Sequence, residues 1–164
     1  MKPAPMRTLY ILVGPPGCGK SMTAWDLVRR GALRITGDDF FFAMTDRKHV
    51  EWLDSGVMDC VNAAADTLMV RLMEKGLPVV VDRTHLSLRS RARCLVLAEE
   101  FGYTVEGRLW LNFGQARKRN SERTGRDQVP EVVWEKMVSA YAPPTEAEGF
   151  SQVLIEVAGD PPDL

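Results

Sequence analysis

The apolar pattern along the chain changes period several times. Thr8 to Val13, TLYILV, is a short continuous apolar run ended by a glycine, which predicts a buried strand. Lys20 to Arg30 has helical character and is closed by Gly31. Leu33 to Thr36 predicts a short second strand. From Val50 to Lys75 the pattern predicts a long helix, with Val57, Val61, Ala64, Leu68 and Leu72 on one face and Gly76 at its end. LPVVVD, Leu77 to Asp82, reads as a fully apolar strand ending in an acid. Ser87 is a plausible N-cap for a helix to Phe101. Tyr103 to Leu111 predicts a strand, and Gln115 to Arg123 a polar, basic helix. Pro130 suits the start of a helix reaching about Tyr141. Gln152 to Val157 is the last strand, and residues 158–164, AGDPPDL, read as a frayed tail.

Strand and helix thus alternate about five times. That alternation predicts an α/β fold, a central parallel sheet of four to five strands flanked by helices. One domain over residues 1–164 accounts for the length, with its core at about 8–157. In such sheets ligands bind beyond the carboxyl ends of the strands. Candidate chemistry is therefore sought just after each strand.

Composition narrows the classes. Hydrophobic residues make up 45% of the 164 and charged residues 26%, as in soluble globular proteins. No apolar run approaches the ~20 residues of a membrane helix, so no membrane association is expected. The start, MKPAPMRT, has no apolar core of a signal peptide, which points to the cytoplasm. Cys18, Cys60 and Cys94 are odd in number and widely spaced, unlike a disulfide framework or zinc site. The net charge of -1 excludes a globally basic nucleic-acid binder. Between Arg83 and Arg126, however, ten Lys/Arg stand against four Glu, a local excess of +6; the other eleven basic and eighteen acidic residues leave -7. A local anion site fits this distribution better than a long nucleic-acid track.

After the first strand comes GPPGCGKS. Gly14, Gly19, Lys20 and Ser21 match the G-x-x-x-x-G-K-[ST] phosphate-binding loop, in the required context of strand then helix. Gly14, Gly17, Cys18, Gly19, Lys20, Ser21 and Met22 are the expected nucleotide-binding residues. Lys20 would reach the β- and γ-phosphates, and Ser21 would bind Mg²⁺. After the second strand stand Asp38 and Asp39; Asp38 is either the acid that deprotonates an acceptor hydroxyl or the cap of a short helix. Asp82, ending the third strand, is the candidate for the metal shell, through water. His85 follows it and is assigned no role. After the fourth strand, Arg119 and Arg123 lie four apart on one helix face, flanked by Arg117 and Arg126. Residues of about 115–128 would form a lid whose arginines neutralise a transferring phosphoryl group.

In this order the motifs resemble the kinase domain of phage-type 5′-hydroxyl polynucleotide kinases, over about residues 8 to 157. The likeness is carried by GPPGCGKS, by DD after a strand, by VVVDRTHL before an arginine-bearing helix, and by RKRNSERTGRDQVPEVVWEKM. It implies a P-loop kinase fold with a helical lid. It further implies transfer of the γ-phosphate of ATP or another NTP to the 5′-OH end of RNA or DNA, with Mg²⁺. Lys20, Asp38, Arg119 and Arg123 would be catalytic, Asp38 as general base. Asp38, Phe41 and Arg83 would meet the acceptor. No obligate protein partner is implied, and the compartment is the cytoplasm, or a host's cytoplasm for a phage-encoded chain. Two departures stand out. Family members often carry an arginine three residues past the base, where this chain has Phe41; Phe41 either stacks on a terminal base or is core, and Arg47 or Arg83 would supply the charge. No D-x-D-G-T phosphatase motif follows. The alternatives are a P-loop small-molecule kinase (antibiotic, sugar or zeta-toxin-like) and a non-catalytic NTP-binding regulator.

Overall fold

The computed structural model describes residues 6–45 and 56–157. Five parallel strands form one sheet: β1 (Thr8–Val13), β2 (Leu33–Ile35), β3 (Val79–Val81), β4 (Thr104–Trp110) and β5 (Gln152–Glu156), in the order β2-β3-β1-β4-β5. The central strand β1 pairs with β3 from Leu9↔Val79 and with β4 from Thr8↔Thr104. Every residue of β1 is buried because helices cover both faces of the sheet. Leu9, Ile11 and Val13 face one side, against α3 (Val57–Glu74) and α4 (Leu88–Glu100). Tyr10 and Leu12 face the other, where α1 (Lys20–Arg29), α5 (Phe113–Glu122) and α6 (Glu131–Ser139) contribute Ala24, Leu27, Ala116 and Trp134. The remaining α-helix among the described residues is α2 (Gly37–Thr45), whose Phe40 packs against the first cluster.

Where local signals dominate, the expected elements stand within a residue or two. Ser87 caps α4 in a reciprocal box with Ser90, and Asn112 caps α5 through the Gln115 amide. Two expectations change. Of the long helix expected from Val50, residues 50–55 lie outside the described residues, and α3 begins at Val57. Its buried row is Val61, Ala65, Met69 and Met73, whereas Leu68 is 39% exposed and Ala64 is also exposed. Val61 of the expected row is buried and Leu72 packs partly buried against the same cluster, whereas Ala65, Met69 and Met73 fill the space beneath β1 and β3 in place of Ala64 and Leu68. Secondly, the short helix weighed at Asp38 is present and nine residues long, but Asp38 and Asp39 lie in its first turn and Asp38 is not its cap. The Asp38 amide donates to Thr36 Oγ1 at 3.4 Å. The expected tail at 158–164 lies outside the described residues.

A buried cation secures the segment before β5. Arg91 on α4 is fully buried and donates to the carbonyls of His85, Leu86 and Ala142 at 2.9, 3.3 and 3.0 Å. It also forks onto both Glu148 carboxylate oxygens at 2.9 Å each. His85 is buried beside it with a left-handed backbone, φ 44, and its Nδ1 lies 3.2 Å from the Leu12 carbonyl of β1. Burial holds the His85 imidazole down at about 3, with the Arg83, Arg91 and Lys20 charges acting in the same direction and the Leu12 carbonyl opposing them.

Arg91→Met should destabilise the fold by roughly 3–5 kcal/mol, since it strands a half-buried carboxylate and three carbonyls. Urea denaturation of both proteins measures this. The His85 shift gives a separate expectation. The unfolded histidine takes up a proton near its ordinary 6.5, the folded one only near 3. Between those values the unfolded state binds more protons, so stability falls as pH drops from about 6.5 toward 3. The His85 contribution should approach about 1.4 kcal/mol per pH unit. Denaturation at pH 7, 6 and 5 should show a shallower slope in His85→Asn than in the wild type.

Candidate phosphate-binding site

The loop between β1 and α1 is shaped by what surrounds it. Gly17 and Gly19 have φ of 91 and 101, in the left-handed region that side chains disfavour. At Gly17 the packing is also restrictive: a Cβ there would overlap the Ala116 carbonyl oxygen of α5 and come 3.1 Å from the Asn120 amide nitrogen. The loop is fixed from two further directions. Gly14 N–H donates to the Thr84 carbonyl at 3.0 Å, and the Trp134 indole of α6 donates to the Pro16 carbonyl at 3.2 Å. Gly19 is the N-cap of α1 and brings no capping side chain, while the Met22 amide donates to the Gly19 carbonyl at 3.1 Å. Lys20 is buried, its ammonium donating to the carbonyls of Gly14 and Pro15 at 2.8 Å each and lying 3.6 Å from Cys18 Sγ. Burial pushes the Cys18 thiol up, against the pull of Lys20. Ser21 and Met22 are exposed on the first turn of α1.

The strand order sets β3 and then β2 beside β1, so the acids that follow those strands lie along the same sheet edge. Asp82 is buried, and its Oδ2 accepts from Arg34 Nε at 2.9 Å and Nη2 at 2.8 Å. The third arm of Arg34, Nη1, donates to Asp39 Oδ2 at 2.9 Å. Asp38 is exposed in the first turn of α2. Arg83 is half-buried, donates to Asn62 Oδ1 at 3.1 Å and passes 3.8 Å from where a Gly37 side chain would begin. Phe41 is buried, 6% exposed, which supports its reading as core over an exposed stacking platform.

On the other side of β1, the helix expected at Gln115–Arg123 packs on the loop through buried Ala116 and Asn120. Arg119 is half-buried on it, whereas Arg123 is its C-cap, with ψ 153, and donates to the Asp127 carbonyl at 3.4 Å. Arg117 belongs to a different network: it pairs with Glu131 and Glu135 of α6 and lies 5.7 Å from the Trp134 ring centroid.

Arg34, Asn120 and Trp134 did not stand out in the sequence. The Asn120 side chain bonds the Val129 backbone twice, at 2.8 and 3.0 Å, and closes the turn that follows α5. A charge inside a three-residue strand was the one available signal for Arg34, because a buried guanidinium needs a partner.

These residues fit a magnesium nucleotide. The loop offers amides, Lys20 and the Ser21 hydroxyl. Asp82 Oδ1 has no hydrogen-bond partner among the described residues. No group of three or more His, Cys, Asp or Glu able to hold a metal occurs among the described residues. Among those residues no helix is long and apolar enough to cross a membrane.

No curated protein matches the chain. Among solved structures it is similar to a chain of the Pnkp1/Rnl/Hen1 RNA repair complex, with a TM-score of 0.70 and 24% identity over 84% of this chain and 44% of that one. The chain therefore spans less than half the length of that relative. It is also similar to Chaetomium thermophilum Kti12 in complex with ADP-AlF3 (TM-score 0.67, 16% identity, 94% and 91% covered). A gluconokinase from Sinorhizobium meliloti 1021 is a third (TM-score 0.60, 17% identity, 96% and 86% covered). At these identities the likeness is one of fold. The family model described as an AAA domain matches residues 9–144, so the chain belongs to that family, as a P-loop kinase-like domain.

Proposed function

We propose that this domain transfers the γ-phosphoryl group of an NTP to the 5′-OH end of RNA or DNA. The observation that carries the reading is the placement of chemistry on one sheet edge. The phosphate loop follows β1, the Asp38–Asp39 pair follows β2, Asp82 follows β3 and the arginine helix follows β4, across the adjacent strands β2-β3-β1-β4. The bound magnesium nucleotide supplies the phosphoryl group and part of its charge neutralisation. Lys20 exchanges the Gly14 and Pro15 carbonyls for phosphate oxygens, a stronger, charge-assisted pairing. Asp38 orients the acceptor hydroxyl and takes its proton. Arg119 and Arg123 present guanidinium donors to the negative charge of the transferring group. Ser21 and Asp82 are the metal-side residues, and Arg83, beside the start of α2, is the acceptor-side cation.

The polynucleotide acceptor is supported by the motif order and by the likeness to a chain of an RNA repair complex. A second reading, a small-molecule acceptor, is favoured by the buried Phe41 at the position of the family's acceptor-gripping arginine and by a gluconokinase neighbour of similar extent. Labelled NTP offered with 5′-OH RNA and DNA oligonucleotides, beside sugars and antibiotics, separates the two. Label on oligonucleotide 5′ ends supports the first reading; label only on small molecules establishes the second.

Asp38→Asn should lower turnover on the preferred acceptor by about 100-fold or more while leaving NTP binding intact, as expected for loss of a general base. Asp39→Asn should be much milder, because among the described residues Asp39 meets the outer arm of Arg34. Turnover and nucleotide affinity, measured together, check the ranking; the reverse order would move the base to Asp39.

A further inference from the structure

Arg34 is the middle residue of β2, and its side chain is 13% exposed. Its three donor contacts are unequal. Nε and Nη2 converge on one oxygen of Asp82, whose side chain is 5% exposed, whereas Nη1 reaches Asp39, 63% exposed. The guanidinium carbon lies 5.0 Å from the ring centroid of Trp25 on α1, which keeps the fork in one orientation. The outer pair faces water and contributes little. At the inner pair, an ionised carboxylate removed from water requires a compensating charge, and Arg34 is the cation in contact with it.

We propose that Arg34 is the resident counter-ion of Asp82. As a positioning residue it holds Oδ2, leaves Oδ1 toward the metal shell, and keeps a divalent cation from settling at Asp82 until nucleotide phosphates bring it in. The proposal rests on the reading of Asp82 as the metal-side acid and is independent of which acceptor is used. Its physical basis is charge balance. With Arg34 in place, a lone cation meets a carboxylate already neutralised and exchanges its own hydration for little. Magnesium gives up water reluctantly and is ordinarily held by one or two carboxylates together with phosphates. With Arg34 gone, a cation becomes the available replacement for the missing charge.

The test is thermal unfolding of the nucleotide-free protein with and without millimolar MgCl₂ or MnCl₂. The wild type should not respond. Arg34→Gln should have a lowered Tm that the cation raises by about 4 °C or more, as when a ligand binds the folded state alone. Arg34→Lys keeps the charge and should stay unresponsive, and Asp39→Asn, which touches the outer arm, should behave as the wild type. Arg34→Gln combined with Asp82→Asn removes both charges and should fold without a cation response. A wild type that responds as strongly as Arg34→Gln, or an Arg34→Gln that folds and does not respond, overturns the proposal. If Arg34→Gln fails to fold, the double variant should still fold; failure of both shows that Arg34 serves packing and also overturns it. Absence of nucleotide binding in the wild type would instead defeat the phosphate-loop reading, and the cation response is measured without nucleotide.

Discussion

Between Val13 and Lys20 the backbone passes so close to α5 that position 17 has no room for a side chain. Much of the site follows from that approach. The loop is held by the Thr84 carbonyl after β3, by the body of α5 and by the Trp134 indole of α6. Its shape is set by the sheet and by neighbouring helices, so a phosphate chain would meet amides already arranged and would lose little to ordering. The same packing couples the arginine helix to the loop: any movement of α5 at Ala116 and Asn120 is felt at Gly17.

The buried charges show two kinds of resting partner. Lys20 rests on neutral carbonyls of its own loop. Asp82 and Arg91 rest on full charges, Arg34 and Glu148. Exchange of a carbonyl for a phosphate oxygen is favourable, whereas separation of a desolvated ion pair is costly. Lys20 is therefore suited to move between partners and Arg91 to stay. Asp82 has one oxygen held by Arg34 and, among the described residues, no partner on the other. The site thus pairs a cation resting on neutral carbonyls with a carboxylate held by a guanidinium.

The fold was legible in the sequence where cause and effect are local. TLYILV has strand chemistry at every position, Ser87 sits at the right distance from Ser90, and Gly17 and Gly19 of GPPGCGKS supply the left-handed backbone of the loop. Legibility failed where a distant partner decides. On α3 both the leucine row and the methionine row have helical spacing, and the shape of the space under β1 and β3 selected the methionines. After β2, the acids signalled a short helix, but its start at Gly37, ahead of both acids, was not legible. Arg34 carries no local sign of its role because its partner Asp82 lies 48 positions away. Asn120 was hidden within a basic run, although its buried amide latches Val129. Motif spacing thus pointed to candidate chemical groups, and the residues that hold them in place are set by tertiary packing.

Binding tests most directly the proposal that the loop holds the β- and γ-phosphates of a nucleotide. Calorimetric titration of the wild-type chain with the magnesium complexes of ATP and ADP, and with AMP, separates phosphate recognition from recognition of the base. ATP and ADP should bind, and AMP, which lacks both outer phosphates, should give no measurable heat. AMP binding as tightly as ATP would contradict the account, since the affinity would then lie outside the loop that Gly17, Gly19 and Lys20 form.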